Sequence, residues 1–276
     1  MVRSISEGFR VLRSNLEITD LQEQTVSARQ QAIREVLEND FVVKETFLTG
    51  SYRRSTMIAP LKKADVDIFV VLDVRYYKQN GKRDLLENVK KSLRRTYTKT
   101  PDIRPDGSAV TISFNDFKVD VVPSFYRKGG GYLIPSLELN KWIGTDPKKH
   151  VELWSASNKA HNGDLVPLIK MIKGWNKSRH LFKSFHLETM VLKALEGITI
   201  SDFPSGIRYV FDKSIGLVQR KLADPAGFSD DVGERVNTKA KIDLLVQRLT
   251  WARNEAQEAE RLATAGNIAG AVEKWR

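Results

Sequence analysis

The chain has 276 residues, no cysteine, 41% hydrophobic content, and 45 Lys and Arg against 34 Asp and Glu, a formal net charge of +11. That hydrophobic share supports a packed core and excludes wholesale disorder, the length suits one large or two modest domains, and the lack of cysteine excludes disulfides, thiol catalysis and cysteine-bound zinc. The sequence has no apolar run long enough to span a membrane and no apolar signal segment near Met1, so a cytoplasmic protein is expected; the basic surplus favours polyanionic partners, spread without a basic tail.

Ile5, Phe9, Leu12 and Leu16 recur at helical spacing and predict a helix over residues 4–17. A second helix is predicted over 20–39, with Val26, Ile33, Val36 and Leu37 inward and Asp20 with Glu23 as its capping pair. Residues 41–48 predict a strand ending at Thr49-Gly50-Ser51, and 52–60 a turn or short helical segment closed by Pro60. Asp65-Val66-Asp67-Ile68-Phe69-Val70-Val71-Leu72 is apolar and β-branched apart from its acids, the composition of a buried strand. Residues 83–97 read as an amphipathic helix with Leu85, Leu86, Val89 and Leu93 inward, and 101–106 as a loop. Strands over 109–114 and 117–123 flank Asn115-Asp116 as a hairpin. From Arg127 to Pro147, Gly129-Gly130-Gly131 and the Pro and Gly content suggest loops and a domain boundary. Helices follow over 165–175, 185–195, from near Ile207, over 238–263 and over 267–275.

Asp65 and Asp67 carry the chemistry. Residues two apart on a strand point the same way, roughly 6.6 Å apart along it. Two carboxylates thus open onto one face of a buried strand, where an ionised acid is costly unless paired or holding a metal. Asp120 is a third acid, sharing its strand face with Lys118 and Val122 while Phe117, Val119 and Val121 share the other. Upstream, Gly50-Ser51 offers backbone N–H groups and a hydroxyl to phosphates. Taken singly, each of these residues reads as a turn, a cap or a satisfied acid. Together they suit hard cations bound with a triphosphate, the arrangement of phosphoryl and nucleotidyl transfer. Gly50 to Thr56 is not a Walker A loop, and His150, His161, His180 and His186 show no metal spacing. Ser184 and His186 lack the third group of a hydrolase triad, so His186 is expected to be a packed helix residue.

Gly50-Ser51, Asp65-x-Asp67 and Asp120 resemble the signature of the DNA polymerase β-type nucleotidyltransferases. Gly50-Ser51-Tyr52-Arg53-Arg54-Ser55-Thr56, Lys173-Gly174-Trp175-Asn176 and Lys183-Ser184-Phe185-His186-Leu187-Glu188 narrow this to the bacterial cyclic oligonucleotide synthases, the CD-NTases of CBASS anti-phage signalling, relatives of cyclic GMP-AMP synthase and oligoadenylate synthetase. Asp224-Pro225-Ala226-Gly227 also resembles a turn of this group. The resemblance implies an α+β fold: a nucleotidyltransferase core with a mixed sheet over residues 1–150, including the N-terminal helices, and a helical domain over 151–276, with the active site in the cleft between. It implies that Asp65, Asp67 and Asp120 hold two Mg²⁺ ions, for which Mn²⁺ can substitute, and that Asp120 helps activate the attacking ribose hydroxyl. Gly50 and Ser51 would hold the β- and γ-phosphates of the donor, Lys173 and Ser184 would touch its triphosphate, and Phe185 would stack on its base. The absence of cysteine departs from the animal enzyme, whose DNA-sensing zinc module this chain lacks.

The expected reaction joins nucleoside triphosphates into a cyclic di- or trinucleotide with release of pyrophosphate. A separate effector protein would read the product; nucleic acid is not required, membrane is not expected as a partner, and a monomer is expected. Two alternatives stay open at this point: a template-independent polymerase of the CCA-adding or oligoadenylate type acting on RNA or nucleotides, and an inactive binding module of the same fold.

Overall fold

A computed structural model describes residues 3–275. The chain forms two compact units, one of Ile18–Glu152 and the other of the residues up to Glu17 together with those from Leu153 onward. The sequence expectation set the boundary at 150 and kept the N-terminal helices together. In the structure the first of them, α1 (Ile5–Leu16), belongs to the helical unit. Its apolar stripe finds its cover there: Phe9 meets Trp275 edge to face at 5.1 Å, Leu16 lies against Gly174, and Glu17 pairs with Lys170.

The sheet unit runs α2 (Asp20–Glu38), β1 (Val43–Leu48), α3 (Gly50–Arg53), β2 (Asp65–Leu72), α4 (Lys82–Thr96), β3 (Ile103–Asp106), β4 (Ala109–Ser113), β5 (Lys118–Tyr126), β6 (Tyr132–Ser136) and β7 (Lys141–Thr145). The cap of α2 stands one residue earlier than expected. Thr19 is extended at φ −87°, ψ 156°; its hydroxyl accepts from the Gln22 N–H, and the Gln22 side chain accepts from the Thr19 N–H, a reciprocal capping box.

The strands order as β1-β2-β5-β4-β3, with β6 and β7 continuing from β5. Among the described strand pairs only β2 and β5 are parallel. A parallel pair needs a long crossover, and α4 with β3 and β4 supplies it. Alternation then sorts the side chains. Val66, Ile68, Val70 and Leu72 of β2, with Val119 and Val121 of β5, join Ile33 and Leu37 of α2 and Leu86, Val89 and Leu93 of α4 in one core. Each such side chain contributes about 1.5–3 kcal/mol when fully buried. The opposite face of β2 presents Asp65, Asp67, Phe69 and Val71.

Two segments read as loops are strands. Residues 103–106 pair with β4 although Pro105 lies among them, which is tolerated because β3 is an edge strand with one partner. Residues 132–136 and 141–145 form a hairpin beyond the glycine run, with Tyr132 buried against Phe69 and Val122.

The helical unit adds α6 (Leu165–Lys177), α7 (Ser184–Ala194), α8 (Phe203–Leu217), α9 (Lys239–Thr264) and α10 (Ile268–Lys274); α5 (Pro147–Ala160) spans the boundary between the units. Leu168, Ile169 and Ile172 of α6 and Leu187, Met190 and Val191 of α7 are buried, as their spacing predicts. Asp224-Pro225-Ala226-Gly227 is a turn: the Gly227 N–H donates to the Asp224 carbonyl at 2.8 Å, and the Asp224 carboxylate accepts from the N–H groups of Ala226 and Phe228.

Candidate active site

The parallel register sets Asp67 directly beside Asp120 and Asp65 beside Lys118. Register partners on neighbouring strands share a face, and Asp65 and Asp67 share theirs by alternation. The three carboxylates therefore lie on one face of the sheet, at the start of β2. The helix-covered face behind them is closed by Val66, Ile68, Val119 and Val121, each 1% exposed or less. On the acids' own face the apolar cover begins one step further along, at Phe69 and Val122. Asp65 is exposed, and Asp67 and Asp120 are half-buried.

Asp120 is half-buried among other charged groups. Burial raises its proton affinity above the ordinary carboxylate range, a hydrogen bond from Thr111 opposes this, the charges of Asp65 and Asp106 raise it further, and Lys118 lowers it. The Thr111 hydroxyl donates to Asp120 Oδ1 at 2.6 Å.

The Gly50 turn is fixed against Asp67. The Thr49 N–H donates to the Asp67 carbonyl at 3.0 Å, continuing the pairing of β1 with β2. Gly50 then adopts φ +62°, and a β-carbon there would stand 1.8 Å from Asp67 Oδ2. A glycine is required by both the conformation and the closeness of approach. The Ser51 carbonyl accepts from the N–H groups of Thr56 and Met57 at 2.9 and 3.0 Å, and Thr56 is fully buried, so the turn is anchored from its far end. Thr49 provides no side-chain cap to α3.

Three carboxylates on one face are the kind of donor set that a hard divalent cation takes. Among the described residues no three His, Cys, Asp or Glu side chains are gathered tightly enough to grip an ion as they stand. Asp67 is turned against Gly50 and Asp120 is bonded to Thr111. The donor set nonetheless fits a hard cation. It is all carboxylate oxygen, it lies on one face, and the desolvated Asp120 is a group whose charge gains from a cation.

Lys173, Ser184 and Phe185 all belong to the helical unit. Lys173 on α6 is 7% exposed, and its Nζ lies 2.8 Å from Oε1 of Glu188 on α7, a carboxylate with no exposed surface. Ser184 is exposed at the first position of α7. The Phe185 ring stacks on Trp154 at 5.9 Å and 21°. His186 is packed, 6% exposed, with Phe182 edge to face at 5.6 Å. Sequence reasoning missed Thr111, Glu188 and Trp154. Thr111 was within reach, because a hairpin across Asn115-Asp116 sets it opposite Asp120. The other two pairings depend on helix packing that no spacing announces.

The mixed sheet with a helical region after it agrees with a nucleotidyltransferase of the DNA polymerase β type. A family model for the second messenger oligonucleotide or dinucleotide synthetase domain matches residues 4–158. A cyclic AMP-AMP-AMP synthase of an Acinetobacter species is 30% identical over 94% of this chain and 81% of its own. A cyclic AMP-AMP-GMP synthase of Enterobacter hormaechei is 22% identical over 70% of this chain and 68% of its own. In fold, the chain is similar to CdnC of Escherichia coli MS115-1, solved with ATP, at a TM-score of 0.76 and 19% identity over 97% of both chains. It is also similar to the cyclic AMP-GMP synthase DncV of Vibrio cholerae, at 0.76 and 12% identity over 96% of this chain and 91% of that one. The chain belongs to the second messenger oligonucleotide or dinucleotide synthetase family, the bacterial CD-NTases. It is a nucleotidyltransferase that makes cyclic oligonucleotides, and a role in anti-phage defence fits that family. No helix among the described residues is long and apolar enough to cross a membrane.

Proposed function

We propose that Asp65, Asp67 and Asp120 hold two Mg²⁺ ions, with Mn²⁺ able to replace them, and that this face joins nucleoside triphosphates into a cyclic product. The observation that carries the reading is the register: Asp67 beside Asp120, with Asp65 on the same face and the Gly50 backbone against the Asp67 carboxylate. When bound, divalent ions neutralise charge at the α-phosphate and lower the pKa of the attacking hydroxyl. The chain's own residues do the rest. The hydrophobic face behind β2 and β5 fixes the acids' backbone, and Gly50 and Ser51 present the turn that holds the β- and γ-phosphates. Asp120, on the same face as Asp67, would also help take the proton of the attacking ribose hydroxyl. Ser184 and Phe185 remain the proposed triphosphate and base contacts of the helical unit; the Trp154 ring behind Phe185 supports a fixed aromatic surface there. Lys173 differs: its pairing with Glu188 supports a role in holding α6 to α7.

The 30% identity to a cyclic AMP-AMP-AMP synthase makes ATP the first substrate to test and a cyclic trinucleotide the first product to seek. A separate protein would act as receptor of that product, with the enzyme working as a cytoplasmic monomer. Incubation with ATP alone, and with all four triphosphates, in Mg²⁺ is expected to give a small phosphatase-resistant product, identified by mass spectrometry. The Asp65→Ala, Asp67→Ala double variant is expected to make none while melting close to the parent. Synthesis by that variant, or a product ladder that depends on added RNA, overturns the reading.

A further inference from the structure

We propose that Thr111 is a positioning residue for the reaction: its hydroxyl fixes the rotamer of Asp120 so that one carboxylate oxygen is anchored and the other faces the metal. This rests on the assignment of Asp120 as a metal ligand given above.

Three observations carry it. Thr111 and Asp120 are register partners on β4 and β5, so their side chains stand side by side on the acid face. The hydroxyl-to-carboxylate distance of 2.6 Å is that of a charge-assisted bond, about twice as strong as a neutral one. Thr111 is 5% exposed, so water does not compete for the bond. Rotation about the last torsion of an aspartate is broad. Without a fixed donor, Asp120 would sample orientations that turn both oxygens away from Asp67. A β-branched residue suits the task because its first torsion is stiff. A hydroxyl suits it because it donates one proton and adds no charge to a face that must attract a cation. The orientation of Asp120 is thus built into the pairing of β4 with β5.

The test compares Thr111→Val, which keeps the shape, Thr111→Ala as a second variant without the hydroxyl, and Thr111→Ser, which restores it. Mn²⁺ binding is read by electron paramagnetic resonance without nucleotide, and the Mg²⁺ dependence of kcat and KM is read with ATP. Loss of a group that orients a metal ligand typically costs about 10- to 100-fold in metal affinity or activity. Thr111→Val and Thr111→Ala are expected to weaken Mn²⁺ binding by that factor and to lower kcat with little change in KM for ATP. Excess metal should restore part of the loss, and Thr111→Ser should bind like the parent. Asp120→Asn separates the two layers. If Asp120→Asn loses Mn²⁺ while both hydroxyl-free variants bind like the parent, the role of Thr111 is overturned and the acid assignment stands. If Asp120→Asn itself binds Mn²⁺ like the parent, the acid assignment falls first.

Discussion

At Gly50 the space a side chain would need is filled by the Asp67 carboxylate, and the backbone is left-handed at φ +62°. Gly50→Ala therefore has two effects. The left-handed conformation costs about 1–2 kcal/mol for a residue with a β-carbon, and Asp67 must swing away. We expect a melting transition lowered by that amount and a larger loss of product formation, read by chromatography of the nucleotide products. A variant that melts lower but keeps full synthesis would show that Asp67 is not held by the turn. Asp120 gives a pH prediction. Its carboxyl is held above the ordinary range, first by burial, so the native state keeps its proton to higher pH than the unfolded chain does. Stability is therefore fully present below the ordinary carboxylate value and declines as pH rises through the raised one. Asp120→Asn removes this loss and keeps an acceptor for Thr111. In chelator at pH 7 it should melt above the parent, with the difference closing as pH falls below the ordinary carboxylate value. The shared face of Asp65 and Asp67 was legible in the sequence because strand side chains repeat every two residues. The raised proton affinity of Asp120 was not, since it depends on what β4 and β3 bring alongside.

The pairing of α6 with α7 centres on a buried charge pair, Lys173 with Glu188. Taking two charges out of water is repaid only while both are present, and removing one typically costs about 3–5 kcal/mol. Lys173→Met is expected to lower stability by that amount in urea melts without nucleotide, and Lys173→Met with Glu188→Met to recover most of it. If Lys173→Met leaves the nucleotide-free protein unchanged and raises KM for ATP, the lysine serves substrate and the ion pair is incidental. At this scale the sequence was informative where a period was long and unbroken. The strand at 65–72 and the helices at 82–96 and 165–177 fall almost where hydrophobic spacing places them. It failed where punctuation residues were read too strictly. Pro105 on β3 is harmless at an edge, and the three glycines at 129–131 connect β5 to β6 through a turn in which the Arg127 N–H donates to the Gly131 carbonyl. Pairing partners decide whether such a segment is a strand, and composition does not report them.

At the level of the whole molecule, residues 17–19 are all that separate α1 from α2, yet the two helices belong to different compact units. Nearness in sequence placed α1 with the sheet; the apolar positions Phe9 and Leu16 are satisfied instead by Trp275 and by the small surface at Gly174. Leu16 packs onto the α6 backbone there, where an added β-carbon would stand 3.4 Å from the leucine methyl, about the distance of an ordinary van der Waals contact. The two ends of the chain are thereby joined: α1 closes onto α6 and α10, and Glu17 reaches Lys170. Removing residues 1–17 should then weaken the distant end of the sequence more than its immediate neighbour. Exposing two large apolar contacts costs about 1.5–3 kcal/mol each. Hydrogen exchange of the truncated protein is expected to show faster exchange in α6, α9 and α10, while α2, β2 and α4 keep their protection, and Trp275 fluorescence should shift towards that of an exposed indole. Loss of protection confined to α2 and its strand neighbours would mean that α1 serves the sheet after all, and that the helical unit stands without it.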